Sequence, residues 1–324
     1  MLIIFHYRLA KIRFFRDNSY IGLYLYLRGR KYAYMKKLSF LIVLFLCSFA
    51  AAAAERKADS LAFCNAEWTV TELGKGATAA YASVQMFDSQ QSISVIKYPA
   101  RRFKTRFVHT PGEYAGTTSA TAIGKGAEMA INGGYFNMKE LVPCVYFRIG
   151  EEVFSITDSS EVFRVNGVIG FRDKRGRRIQ IKSCLPDQYQ EVTGKWHSVM
   201  ATGPMLMSGY EILVPEFAKT DENGKGIDSF NDRRHPRTAM GYDRYGNICL
   251  IVIDGRHKGQ GDGASIYETA LICSFLGLTD AINLDGGGSS AIWSSETGVL
   301  NHPSDNKVFD HAGERTVPNI IGVF

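Results

Sequence analysis

Two apolar runs in the C-terminal third, Ile248–Asp254 and Ala281–Leu284, flank a helical stretch, and each leads into an aspartate followed by glycine. Between them, Ser265-Ile-Tyr-Glu268 has the spacing of a capping box. Ile266, Ala270, Cys273 and Leu276 then recur at helical intervals before Gly277, a natural stop. Strand, helix and strand within about 40 residues is the pattern of a crossover between parallel strands. Such strands end on the same sheet edge, which places Asp254 and Asp285 at one crevice. Neighbouring strands lie ~4.8 Å apart and next-neighbours about twice that, inside the ~5–9.5 Å window of paired carboxylates in glycoside hydrolysis. The competing reading is that both aspartates are turn residues before glycine.

Asp285 opens the tract Asp285-Gly-Gly-Gly-Ser-Ser290. Successive glycines let backbone N–H groups approach an anion closely, so Gly286, Gly287 and Gly288, with Ser289 and Ser290, are candidate contacts for an oxyanion. A flexible turn is the alternative. Met129-Ala-Ile-Asn-Gly-Gly-Tyr-Phe136 repeats the theme. There Asn132, Gly133, Gly134 and Tyr135 are candidate sugar contacts, against a plain Asn-Gly turn with core aromatics. Ala201-Thr-Gly-Pro-Met-Leu-Met207 ends a further strand in a bend or pocket wall. If residues 244–247 form the turn of a hairpin, Arg237 faces Asp254 and sets a guanidinium against a carboxylate.

Strand-like runs recur earlier, at Tyr81–Met86, Ser92–Tyr98, Glu128–Asn132, Val162–Phe171, Arg178–Ser183, Ser198–Thr202 and Thr238–Asp243. The expected fold is α+β, a single domain with a twisted mixed β-sheet flanked by helices and one β-α-β crossover near the C-terminus. The basic run Phe171-Arg-Asp-Lys-Arg-Gly-Arg-Arg178 reads as a solvated hairpin turn. Residues 214–236 read as a long surface loop, with a lid as the alternative.

The formal charge of +6 misleads. Nine Lys/Arg and one Asp precede Glu55, and the remainder carries 29 basic and 31 acidic residues. The basic balance therefore gives no support for nucleic-acid binding. Residues 35–54 have the basic start, apolar core and small-residue end of a signal peptide, too short to span a bilayer. Met35 then reads as the start and residues 1–34 as an upstream extension; a signal anchor or a lipoprotein at Cys47 are alternatives. Residues 55–78 read as an N-terminal segment and 79–324 as the domain, exported to a periplasmic or extracellular space, with no stable membrane span after signal removal. Of the later cysteines, Cys249 and Cys273 read as buried, while Cys64, Cys144 and Cys184 are disulfide candidates.

Five segments, Ile131–Phe136, Thr202–Met207, Arg237–Gly241, Ile253–Arg256 and Asn283–Ser290, occur in an order that resembles the phosphodiester glycosidase family. The likeness runs from about Ala79 to Phe324, and Asn-Leu-Asp-Gly-Gly-Gly-Ser-Ser with Asp-Gly-Arg is its most specific part. The resemblance implies hydrolysis of a sugar-1-phosphodiester, of the N-acetylglucosamine-1-phosphodiester kind, releasing sugar and a phosphomonoester. It also implies an extracytoplasmic setting.

Such a substrate needs its phosphate neutralised and its oxocarbenium-like transition state stabilised. Arg237 and Arg256 are the candidate phosphate ligands, because guanidinium binds phosphate bidentately. Asp285 is the expected carboxylate at the anomeric carbon, with Asp254 assisting as base or nucleophile. No metal or cofactor is called for, although a metal-dependent phosphodiesterase using Asp254, Asp285 and His257 is an alternative. A non-catalytic saccharide-binding protein is another. Glu268 reads as a helix cap and Trp68, Trp196 and Trp293 as packing residues, while His302 and His311 have no assigned place. Oligomeric state is not legible.

Overall fold

The computed structural model describes residues 55–214 and 228–324. The expected extension, the signal segment and the Asn223–Gly226 part of the long loop lie outside them. Ala58–Phe324 forms one compact unit, so most of the 55–78 segment folds with the rest.

Strands dominate. An eight-stranded sheet runs in the order Thr69–Gly74, Ala77–Met86, Ser89–Pro99, Asn247–Ile253, Arg237–Asp243, Leu278–Asn283, Met205–Ser208, Glu211–Ile212. One five-stranded sheet centres on Gly167–Phe171 and Ser198–Thr202, and another on Met129–Asn132 and Asn319–Val323. Every strand pairing among the described residues is antiparallel, which corrects the expected mixed sheet. The physical reason lies in the C-terminal third. Asn247–Ile253 and Leu278–Asn283 do run parallel to each other, but Arg237–Asp243 sits between them and pairs antiparallel with both. The helical connection therefore jumps one strand.

The apolar run of Asn247–Ile253 is continuous because both its faces are buried. Ile248, Leu250 and Val252 join a core shared by all three large sheets, with Phe147, Ile169, Ile282 and Ile321. Cys249, Ile251 and Ile253 point the other way, into a cluster with Ile266, Ala270 and Cys273 of the helix Ile266–Phe275. Alternation across a pleated strand requires this division. The helix is capped as its sequence dictates. The Glu268 amide donates to Ser265 Oγ at 3.1 Å, and the Ser265 amide donates to Glu268 Oε2 at 2.7 Å. Such a cap is worth about 1 kcal/mol. Gly277, at φ +73°, follows the last turn.

Val162–Phe171 is shorter as a strand than expected. Only Gly167–Phe171 is extended, and Ser159–Glu161 is a short 3-10 turn. The hairpin register also differs by one: Arg237 pairs with Ile253, not Asp254. All five cysteines of the described residues are free thiols, so none of the candidate disulfides forms.

Candidate active site

The sheet edge reached by Ile253 and Asn283 carries both aspartates. Arg256, two residues after Asp254, lies over the tract two residues after Asp285: a β-carbon on Gly287 would sit 2.9 Å from Arg256 Nη2. Asn301 ties the two tips together, donating from Nδ2 to Asp254 Oδ1 at 3.0 Å and to the Ser290 carbonyl at 3.1 Å. Asn301 thus links the tip of one strand to the glycine tract of the other, and the two acids differ in character.

Asp254 is fully enclosed. Its oxygens accept from Ser92 Oγ at 2.6 Å, Asn301 Nδ2 and the His302 amide at 2.9 Å, while His302 Nδ1 lies 3.0 Å away. Both oxygens of Asp254, an expected catalytic group, are thus engaged by protein groups, and the carboxylate holds His302 in place. The imidazole is stacked on Phe309 at 3.8 Å between centroids and 8° between planes, with His311 at 4.5 Å. With Nδ1 turned to the carboxylate, the ring presents Nε2 for chemistry.

Asp285 is different. Burial pushes its carboxyl up to about 6, against the opposing pull of Ser289, Arg164, the Gly286 amide and Arg315. The Gly286 N–H donates to Asp285 Oδ1 at 3.0 Å. Ser289 is buried, and its hydroxyl lies beside the Asp285 carboxyl and favours the charged form.

Three guanidinium groups surround this carboxyl and its glycine tract. Arg164 stacks at 3.9 Å on the ring of Tyr135 and pairs with Glu161. Arg315 is held by Asp305 at 2.5 Å and crosses Gly288, where a β-carbon would lie 2.3 Å from its Nη2. Arg256 is exposed, takes φ +70° and reaches Ser304 Oγ at 3.5 Å. The glycines thus admit arginines from above. Of the expected amide cradle, the Gly287 amide is spent on the Pro236 carbonyl at 2.8 Å and that of Gly286 on Asp285. The left-handed φ of +62° at Gly287 also favours glycine.

Other expected contacts turn out to be frame. Asn132 Nδ2 donates to the Asp285 carbonyl at 2.7 Å, and its Oδ1 accepts from Thr238 Oγ1 at 2.9 Å and from the Ala291 amide. Both ends of its amide are consumed, so it clamps the loop rather than a sugar. Gly133 and Gly134 pack against Asn319 and Met200. Tyr135 donates its hydroxyl to the Gly203 carbonyl at 2.6 Å, and Arg164 covers its ring. Ser290 Oγ is bonded to Thr238 Oγ1 at 3.0 Å. Arg237 is buried and gives Nε and Nη2 to the carbonyls of Ala264, Phe230 and Arg233. The expected phosphate role for Arg237 is therefore corrected to one of anchoring its own strand end. No group of three or more His, Cys, Asp or Glu among the described residues is arranged to hold a metal ion.

No local pattern marks Arg164, His302 or Arg315 as partners of Asp285 and Asp254. They arrive from the turn at 162–164, ahead of Gly167, and from the C-terminal loop.

A family profile described as phosphodiester glycosidase matches residues 125–324. The chain belongs to the phosphodiester glycosidase family. Among curated proteins of this family, the mouse N-acetylglucosamine-1-phosphodiester alpha-N-acetylglucosaminidase is 25% identical over 198 residues, covering 59% of this chain and 36% of that protein. The bovine enzyme of the same name is 25% identical over 222 residues, covering 64% and 39%. The chain thus spans well under half the length of these relatives. Its fold is similar to that of the zebrafish N-acetylglucosamine-1-phosphodiester alpha-N-acetylglucosaminidase catalytic domain, solved auto-inhibited by its pro-peptide. The TM-score is 0.59 at 17% identity, over 79% of this chain and 87% of that one. Among the described residues of this phosphodiester glycosidase family member, no helix is long and apolar enough to cross a membrane.

Proposed function

We propose that the protein hydrolyses a sugar-1-phosphodiester, of the N-acetylglucosamine-1-phosphodiester class, at the glycosidic C–O bond. The observation that carries this reading is a single carboxyl poised near 6 beneath three guanidinium groups. A phosphodiester brings one negative charge beside its anomeric carbon, and Arg164, Arg256 and Arg315 supply the opposite charge where that phosphate would leave. Asp285 is ionised in most molecules at neutral pH and is basic enough to take a proton from water. Water then bonds to the anomeric carbon, the C–O bond breaks, and its electron pair leaves with the phosphomonoester. Arginine stabilises that leaving group, so protonation matters less than for an alkyl glycoside. Ser289 supports the charged form of Asp285, and His302, whose Nδ1 is held by Asp254, is the second proton-transfer group through Nε2. Export to an extracytoplasmic space fits both the signal-like residues 35–54 and such a substrate.

Hydrolysis in heavy-oxygen water tests the reaction. Label in the released sugar supports C–O cleavage. Label in the phosphomonoester means P–O cleavage and overturns the reading.

A further inference from the structure

The hairpin that ends at Arg237 and Ile253 turns at its far end through Arg244–Gly246. Seven-residue strands at ~3.4 Å per residue place that turn about 20 Å from the aspartates. Here the turn, the Ala100–Arg102 segment and the 172–180 hairpin enclose a groove of about 440 Å³. Arg101, Arg172, Arg177 and Arg178 line it together with Tyr242 and Tyr245, and no carboxylate does. The nearby acids are already engaged. Asp243 is paired with Lys97 at 2.9 Å, Asp173 accepts from the Arg175 amide at 2.8 Å, and Asp280 bonds the Tyr242 hydroxyl.

The groove is a built feature. Gly176, at φ +64°, is pressed so closely on the Thr105 backbone that a β-carbon would lie 1.6 Å from its carbonyl oxygen. The Arg172 amide donates to the Arg178 carbonyl at 3.1 Å and closes the loop. The basic turn that reads as a solvated loop is thus fixed against its neighbours. Residues 55–324 carry slightly more acid than base, so four arginines in one concavity are a local concentration.

We propose that this groove is a second, non-catalytic site for the phosphate groups of an anionic glycan. Guanidinium groups from two segments suit multiply charged oxyanions, and a tyrosine ring suits the face of a sugar. Tyr245 is the only strongly exposed large apolar side chain at the rim, too little to enter a bilayer, which favours a glycan over a lipid surface. The choice of glycan rests partly on the hydrolytic reading; the anion site does not depend on turnover.

Calorimetric titration of the full chain with an oligosaccharide bearing phosphomonoesters, and with its dephosphorylated twin, tests the site directly. Binding is expected for the phosphorylated form, weakening with salt. Arg177→Glu combined with Arg178→Glu, and separately Arg101→Glu from another segment, should each weaken it by roughly tenfold or more, about 1.4 kcal/mol. Lys125→Glu, the same charge change on a distant helix end, should leave it unaltered. Hydrolysis of a small soluble sugar phosphodiester should be unchanged in all variants. If that small substrate is never hydrolysed, the hydrolytic reading fails while the binding comparison still stands. Equal binding of both oligosaccharides, equal loss in Lys125→Glu, or capture of anionic vesicles in preference to the phosphorylated glycan would each overturn the proposal.

Discussion

His302 is gripped twice by Asp254: its Nδ1 lies 3.0 Å from Oδ2, and its own amide donates to Oδ1 at 2.9 Å. Replacing Asp254 with Asn presents an amide to four groups that expect an acceptor. A buried donor left unsatisfied costs about 1–3 kcal/mol, so the variant should unfold at lower denaturant. Because the imidazole loses its orientation, kcat should fall far more than KM changes. His302→Gln should reproduce the kcat loss with little of the stability loss. A common drop in stability with unchanged turnover in Asp254→Asn would show that the pair is purely structural.

Asp285 should govern the acid limb of the pH profile. Its carboxyl must be ionised to accept a proton, so kcat/KM should rise with pH through about 6. Asp285→Asn should remove the limb and lower turnover by at least ~100-fold, the usual scale for a lost general base. An Asn variant that retains most of the activity would sink the assignment.

The same carboxyl should set a stability signature of opposite sign. Its native value, near 6, lies above the ordinary 3.8, so the folded protein binds this proton more tightly than the unfolded chain does. Stability therefore rises as pH falls from about 6 to about 4 and is lost again as pH rises through that window, by on the order of 3 kcal/mol. Urea midpoints of the native protein and Asp285→Asn should differ at pH 7.5, with Asn the more stable, and converge near pH 4. Parallel curves at all pH values would contradict a buried charged group.

Gly288→Ala is the sharpest probe of the arginine arrangement. Its β-carbon would meet Arg315 Nη2 at 2.3 Å and Asp305 Oδ1 at 2.5 Å, the movable ends of two side chains. The protein should fold, with Arg315 displaced and KM for a phosphodiester raised by roughly tenfold, about 1.4 kcal/mol. Gly133→Ala would instead press against Asn319 Oδ1 at 1.9 Å and its carbonyl at 2.9 Å, and should impair folding. Soluble yield and Michaelis kinetics separate the two outcomes.

Arg237 and Arg256 should behave oppositely. Arg237→Lys loses a buried fan of hydrogen bonds to three carbonyls and should destabilise by several kcal/mol. Arg256→Ala removes an exposed side chain and should leave the unfolding midpoint nearly unchanged while reducing kcat/KM. Thermal unfolding beside steady-state kinetics distinguishes them, and reversed roles would restore Arg237 as a phosphate ligand.

Local pattern made much of this legible. Ser198–Thr202, the Ser265–Glu268 cap and the end of the helix before Gly277 stand where periodicity and capping chemistry put them. That the strands leading to Asp254 and Asp285 end on one sheet edge was readable, because strand direction fixes which edge a strand end reaches. Side-chain direction was not readable. A shift of one residue in the hairpin register paired Arg237 with Ile253, and its guanidinium turned to carbonyls. His302 is 48 residues from Asp254 and lies in a loop without periodicity, so no local signal links them. Arg164 was hidden in a stretch whose apolar alternation resembles a strand, while residues 162–164 form a turn just after the 3-10 segment Ser159–Glu161.

The Arg237–Asp243 strand lies between the two strands that carry the acids. The spacing of those two strand ends is therefore set by the backbone of the sheet. Adapting this scaffold to a bulkier or smaller leaving group falls to the peripheral segments that supply Arg164 and Arg315. Attempts to redesign its selectivity belong there, since a change in the central strand would dismantle the ruler along with the reaction.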